Sequence, residues 1–272
     1  MRVEVVTAVH DAYAHFLSAA WQSLQAQTFD DWCWLVQIDG PATAVIPELI
    51  ACGASEDPRV RVAVNGTREG PATTRNIALG RSRAPLIQNL DADDELEPDA
   101  LQNLAHALDT HPQAGFAVGP ARDLLYSGEL VDFPLPFRPG LQARGRLIAA
   151  VAREPDRYRL PVHPAGIMWR RDLLLTVGGW AGLRGMEDTA LLMAAAALAP
   201  CVTLDTVTLR YRRHRAQTST QTSFFEGGGG EQISLIHQRT SRLLAGPGWV
   251  ADATTGSDRP DGELSDLPAG PG

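Results

Sequence analysis

The sequence contains no lysine, because all 24 of its basic residues are arginine. A Schiff-base enzyme needs a lysine amine and a Walker-type phosphate loop needs its lysine, so neither chemistry can be built from this chain. Cysteine is scarce as well. Cys33, Cys52 and Cys201 are widely separated and form no C-x-x-C pair, which excludes a zinc ribbon and fits packed thiols in a reducing compartment. Positive charge is in deficit. With 32 acidic residues, a net charge of −8 and a pI near 5.3, the chain offers no broad surface for nucleic acid or anionic lipid. Long apolar runs are missing too. The longest, Ala190 to Leu204, contains Pro200 and is shorter than the ~20 residues of a spanning helix. The opening MRVEVVTAVHD has no secretory-signal pattern. The expectation is a cytoplasmic protein with no integral membrane segment.

What is present is an alternation of short apolar runs with helical patterns. Val3–Val9, Trp32–Ile38, Val60–Val64 and Pro85–Leu90 are rich in β-branched, aromatic or aliphatic residues, as buried strands require. Phe16, Leu17, Ala20, Trp21 and Leu24 recur at helical spacing between the first two. Pro71 is placed to open a helix, and Pro98 another. The fold class read from this is α/β, a mostly parallel central sheet flanked by helices. From Gly115 to Arg159 the pattern breaks into a hairpin and irregular loops. Helices are expected at Leu173–Val177 and Glu187–Ala199, and a strand at Val202–Leu209. Beyond them Gly227–Gly230 reads as a flexible joint, Glu231–Leu244 as a short helix, and the tail from Ala251 as disordered. The division expected is one domain at 1–225, with halves 1–112 and 113–225, then the joint and helix at 226–250 and the tail at 251–272.

The strongest local signal is DADDELEPDAL, from Asp91 to Leu101, directly after the fourth strand. Open α/β sheets bind ligands beyond the carboxyl ends of their strands. Closely spaced carboxylates there can share Mg²⁺ or Mn²⁺ and leave positions for phosphate oxygens. The competing reading is a solvated acidic turn capping the next helix. A second acidic pair, Glu187-Asp188, opens an alanine-rich helix, where the macrodipole alone favours it. A third cluster, Arg210-Tyr211-Arg212-Arg213-His214-Arg215, suits phosphate and metal contacts, or pairs with surface carboxylates.

Thr7, QTFDDW at Gln27–Trp32, Asp39-Gly40, Thr74-Arg75-Asn76, the DADD cluster, Gly178-Gly179-Trp180 and Glu187-Asp188 occur in an order that resembles the family-2 inverting glycosyltransferases. The resemblance runs to about residue 220. It implies a GT-A, Rossmann-like nucleotide-diphospho-sugar transferase fold, whose N-terminal half binds the nucleotide-sugar and whose C-terminal half binds the acceptor. It assigns Thr7 to the nucleotide base through its loop, Asp39 to a hydrogen bond from the base, and Arg75 to the nucleotide or its phosphates. It places Asp91 at the ribose or a nearby water and Asp93 on a metal bridging the diphosphate, with Asp91 and His214 as further ligands. Asp188 is the expected general base and Glu187 its neighbour. Arg212 is a candidate phosphate contact, Trp180 a candidate sugar platform, and His163 and Trp169 candidate pocket residues. The family commonly carries two acidic residues before the glycine, whereas Ile38 precedes Asp39 here.

The reaction expected is transfer from a nucleotide-diphosphate-sugar donor, a UDP-sugar, with Mn²⁺ or Mg²⁺, to a hydroxyl of a natural product, saccharide or peptide. The alternative is a non-catalytic nucleotide-sugar-binding or scaffold domain of the same fold.

Overall fold

In the computed structural model, which describes residues 2–153, 158–215, 217 and 229–251, the chain folds around a sheet that two helical layers enclose. The strands are β1 (Val3–Val9), β2 (Trp32–Ile38), β3 (Val60–Val64), β4 (Leu86–Asn89), β5 (Glu95–Leu96), β6 (Phe116–Val118), β7 (Ala121–Leu124) and β8 (Leu130–Phe133). They continue with β9 (Gly140–Gln142), β10 (Ala152–Arg153), β11 (Tyr158–Arg159), β12 (Ile167–Arg170), β13 (Cys201–Thr203) and β14 (Leu209–Arg212). The helices are α1 (Leu17–Gln25), α2 (Val45–Ala51), α3 (Pro71–Arg81), α4 (Ala100–Thr110), α5 (Arg171–Val177), α6 (Glu187–Leu198) and α7 (Gly229–Ala245).

The central sheet runs β3-β2-β1-β4-β12-β6-β13-β9. It is parallel from β3 through β4, whereas β12 lies antiparallel to both β4 and β6. Its side chains alternate between two cores. Val3, Val5, Trp32, Trp34 and Val36 face α1, α2 and α4, while Val6, Cys33 and Leu35 face α3, α5 and α6. Trp21 of α1 stacks on Trp34 at 5.8 Å between ring centroids, fixing that helix on the sheet. The chain leaves β1 toward β2 on one side and later returns to lay β4 on the other. The carboxyl ends of β1 and β4 therefore form the reversal point at which open α/β sheets take ligands.

A second sheet, β5-β14-β7-β8, crosses that end of the molecule. Here the sequence reading needs correction. The strand expected over Val202–Leu209 is two strands, with β13 in the central sheet and β14 in the second. The helix expected from Pro98 begins at Ala100. The C-terminal helix begins at Gly229, so Gly229 and Gly230 of the expected joint are helical. It packs on α6 through Met186, Ala190, Met193, Ile233 and Ile236. The remaining glycines of the joint and the tail beyond Ala251 lie outside the described residues. Among the described residues, no helix is long and apolar enough to cross a membrane.

Candidate active site

The turn after β4 and the start of α6 meet through one guanidinium. Arg75 projects from α3 and is 6% exposed. It donates to Asp91 at 2.6 Å and to Glu187 at 3.4 Å, and lies 3.6 Å from Asp188. Residues from three distant parts of the chain thus form one buried charge cluster. Three carboxylates around one cation hold the Arg75 proton more firmly than usual, against the opposing effect of burial. Arg75 Nε has no hydrogen-bond partner among the described residues.

The carboxylates carry the excess negative charge. Burial, reinforced by Asp188, pushes Glu187 up to about 7. Asp188 is also raised by burial, against the pull of Arg75. Its side chain keeps 25% exposure against 8% for Glu187. The indole N–H of Trp180 donates to Asp188 Oδ1 at 2.9 Å. Asp188 Oδ2 makes no hydrogen bond among the described residues.

Asp93 lies on the other side of Asp91 in the turn. Its Oδ2 is 2.8 Å from His214 Nε2, although the two residues are 121 positions apart. Burial first, then Asp91, raises the Asp93 carboxyl, and the His214 contact opposes that rise. His214 is seated by the rings of Phe16 and Tyr13, at 4.6 and 5.7 Å. Its turn is closed by the Gln217 side chain, which donates to the Arg212 carbonyl at 2.7 Å. Asp94 is fully buried and accepts the Arg212 backbone N–H at 2.9 Å.

An oxygen and an imidazole nitrogen side by side suit a divalent cation, and crowded carboxylates favour one. Among the described residues no group of three or more His, Cys, Asp or Glu is disposed to hold a metal ion. The protein would therefore supply Asp93 and His214, with water and phosphate oxygens filling the shell, as Mg²⁺ and Mn²⁺ accept. Asp91 faces the cluster but is engaged by Arg75.

Five expectations are revised by the side-chain positions. Thr7 is fully buried within β1, donating its hydroxyl to the Leu90 carbonyl and accepting the Trp34 indole N–H. Its hydroxyl thus ties β1 to β4 and leaves any nucleotide contact to the loop that follows. Trp180 is 2% exposed, so its ring faces core and its N–H faces Asp188 instead of a sugar. Trp169 is likewise a core residue against Phe116. Arg212 is consumed internally by the Glu95 carboxylate and the Asp93 carbonyl. His163 is packed between Phe133 and Tyr211, and burial pulls it down to about 4. Of the neighbouring arginines, Arg210 pairs with Glu97 and Arg213 with Asp123.

Asp39 directly follows β2 and is 5% exposed. Its carboxylate accepts the backbone N–H groups of Glu69 and Gly70 at the start of α3, a favoured place for an anion. It shapes the loop beside the reversal point. Sequence reasoning gave no role to Asn76, Asp94 or Gln217. All three act by holding backbone, a function that residue type does not announce.

Two cavities, of 340 and 210 Å³, lie away from this cluster, beside Arg2 and Asp109 and beside Glu95 and Arg210. The candidate site is taken from the charge cluster and its position at the sheet reversal.

Residues 4–131 match the family model described as Glycosyl transferase family 2. The match contains Asp39, Arg75 and the Asp91–Asp94 turn, and ends before Glu187, Asp188 and His214. The chain is 28% identical over 181 residues to the O-antigen biosynthesis protein RfbC of Myxococcus xanthus, covering 65% of this chain and 13% of that protein. It is 29% identical over 100 residues to the uncharacterized glycosyltransferase MJ1057 of Methanocaldococcus jannaschii, covering 37% and 34%. It thus spans only a fraction of those relatives. The fold is similar to that of S. aureus TarS in complex with UDP-GlcNAc, with TM-score 0.63 at 17% identity, covering 90% of this chain and 71% of that one. It is also similar to the mannosyltransferase PcManGT of Pyrobaculum calidifontis in complex with GDP-Man and Mn²⁺, with TM-score 0.55 at 14% identity, covering 89% and 72%. The family match over residues 4–131, these relatives and the architecture together make the chain similar to glycosyl transferase family 2, with the GT-A fold.

Proposed function

We propose that this chain transfers a sugar, with inversion, from a nucleotide-diphosphate donor to an acceptor hydroxyl, using Asp188 as general base. The observation that carries the reading is the Arg75 contact set, which joins the strand-end turn to the start of α6. A donor seated over that turn has its diphosphate beside Asp93 and His214 and its anomeric carbon toward Asp188. The donor is a UDP-sugar in this reading, in keeping with the TarS complex, although the PcManGT complex shows that the fold also accepts a guanosine nucleotide.

The residues divide the work. Asp188 Oδ2 takes the proton of the acceptor hydroxyl as that oxygen bonds to the anomeric carbon. The bond from that carbon to the diphosphate oxygen breaks with its electron pair, releasing the nucleoside diphosphate. Asp93 and His214 would hold a Mn²⁺ or Mg²⁺ ion, which when bound would supply charge neutralisation to the departing diphosphate. Arg75 opposes the rise that burial imposes on the Asp188 carboxyl, and Glu187 shares that guanidinium so that Asp188 is left partly free. Asp39 holds the loop that borders the nucleotide pocket.

The test is hydrolysis or transfer across UDP-, GDP- and dTDP-sugars with and without Mn²⁺. Asp93→Ala is expected to remove metal-dependent donor binding. Asp188→Asn is expected to keep binding and lose transfer by at least about a hundredfold. Wild-type turnover by Asp188→Asn would remove the base assignment. Donor binding with no turnover by the wild-type protein would leave a nucleotide-sugar-binding domain.

A further inference from the structure

We propose that Trp180 is the positioning residue of the base, its indole N–H fixing Asp188 Oδ1 so that Oδ2 faces the acceptor. The inference rests on Asp188 being the base, and goes beyond that reading by naming what orients it.

The geometry is local and closed on every side. Trp180 is 2% exposed and its Nε1 lies 2.9 Å from Asp188 Oδ1. Two indole groups elsewhere in the core, those of Trp21 and Trp169, have buried N–H groups with no partner among the described residues. The contact at Trp180 is therefore not a generic consequence of burying an indole in this protein. The backbone of Trp180 is fixed as well. Its N–H donates to Asn76 Oδ1 at 2.9 Å, and its carbonyl accepts from Asn76 Nδ2 at 2.8 Å. Asn76 follows Arg75 on α3, so one short stretch of helix sets both neighbours of Asp188, the guanidinium and the indole.

The preceding residue supports the same clamp. Gly179 has φ +67, and a Cβ placed there would lie 2.2 Å from Asn76 Oδ1. Only glycine lets the loop approach α3 closely enough for the paired amide contacts. The indole ring in turn lies under Arg75, whose guanidinium carbon is 6.0 Å from its centroid. The charged groups facing Asp188 are Arg75 from α3, Glu187 from its own helix and Asp91 from the strand-end turn. Among the described residues Trp180 is the one neutral donor to it, and it stabilises the carboxylate form without adding charge.

Trp180→Phe keeps an aromatic ring in the core and removes the donor. Incorporation of 3-benzothienylalanine at position 180 keeps the whole bicycle without the N–H, and serves if the phenylalanine variant folds poorly. Two measurements apply to each. The Asp188 carboxyl is titrated by ¹³C NMR, with its signal assigned by loss in Asp188→Asn, and its midpoint is expected to rise by about one pH unit. Hydrolysis of UDP-GlcNAc or GDP-mannose, whichever the wild type turns over, is expected to show kcat lowered roughly tenfold at neutral pH with donor KM unchanged. The acid limb of the kcat profile should move with the NMR midpoint.

An unchanged midpoint and unchanged kcat overturn the proposal. So does a parallel fall in melting temperature and donor affinity with the midpoint unmoved, which is what packing alone would give. If Asp188→Asn turns over normally, the base assignment itself fails. A silent titration beside an inactive Asp188→Asn sinks only the part given to Trp180.

Discussion

Arg75 holds three carboxylates in one place, and the electrostatic strain of that arrangement falls on Glu187. The side chain is 8% exposed and sits beside Asp188, so its carboxyl is pushed up to about 7 from an ordinary value near 4.5. The native state therefore keeps a proton that the unfolded chain has released over that interval. Stability from this group is full below pH 4.5 and is lost as pH rises toward 7. Full expression of the shift would be worth about 3 kcal/mol, an upper bound because Asp188 and Arg75 adjust with it. Glu187→Gln should flatten that part of the stability profile. Denaturant titrations at pH 5 and 7.5 check this: the wild type should lose more stability between them than the variant does. Equal slopes would show that Glu187 titrates as an ordinary carboxyl.

At the scale of elements, the sequence was most readable where burial is uniform and least readable where strands change sheets. β1 to β4 follow from runs such as VEVVTAV and WCWLVQI because both faces are covered, so every residue reports the same environment. The break between β13 and β14 was missed because its linker carries neither glycine nor proline. The reason lies in the partner strands. β6 and β7 pass from the central sheet to the second sheet through Gly119-Pro120, and β13 and β14 follow them in parallel. A Cβ at Gly119 would lie 2.5 Å from Thr208 Cγ2, so the crossing depends on a tertiary fit that no local pattern encodes. The carboxylate turn and the acidic start of α6 were legible as types of residue. Their junction through Arg75 was not, because a guanidinium on α3 can point to many places. The same limit concealed Arg144, which donates to the carbonyls of Ala197, Leu243, Leu244 and Gly246 and so joins the ends of α6 and α7. Arg144→Ala should cost about 1–3 kcal/mol, since it removes a charged donor from helix-end carbonyls. Calorimetry should show a melting temperature lower by several degrees, and no change would mean that solvent replaces these contacts fully.

Across the whole molecule, negative charge is both the global excess and the local feature of the site. The chain carries a net −8, and Asp91, Asp93, Asp94, Glu187 and Asp188 gather around the single Arg75 and around His214. Burial and mutual repulsion raise Asp93, Asp94, Glu187 and Asp188 together, so Arg75 and Arg212 only partly offset the negative charge at this end of the sheet. A divalent cation bound between Asp93 and His214 would relieve that repulsion only in the folded protein, because the two residues meet only there. Ligand linkage then gives about 2.7 kcal/mol of added stability at a hundredfold excess over the dissociation constant. For a protein of this size that corresponds to a rise in melting temperature of roughly 5–10 °C. Mn²⁺ should produce the rise, EDTA should reverse it, and Asp93→Ala should abolish it while leaving the melting temperature without metal equal or higher. The diphosphate of UDP should add to the shift only when Mn²⁺ is present, since the protein offers two ligands and the phosphate oxygens complete the shell. A UDP shift that is the same with and without Mn²⁺ would show that the nucleotide is held by the protein alone. The cluster at the sheet reversal would then bind its ligand through Arg75 and not through a cation.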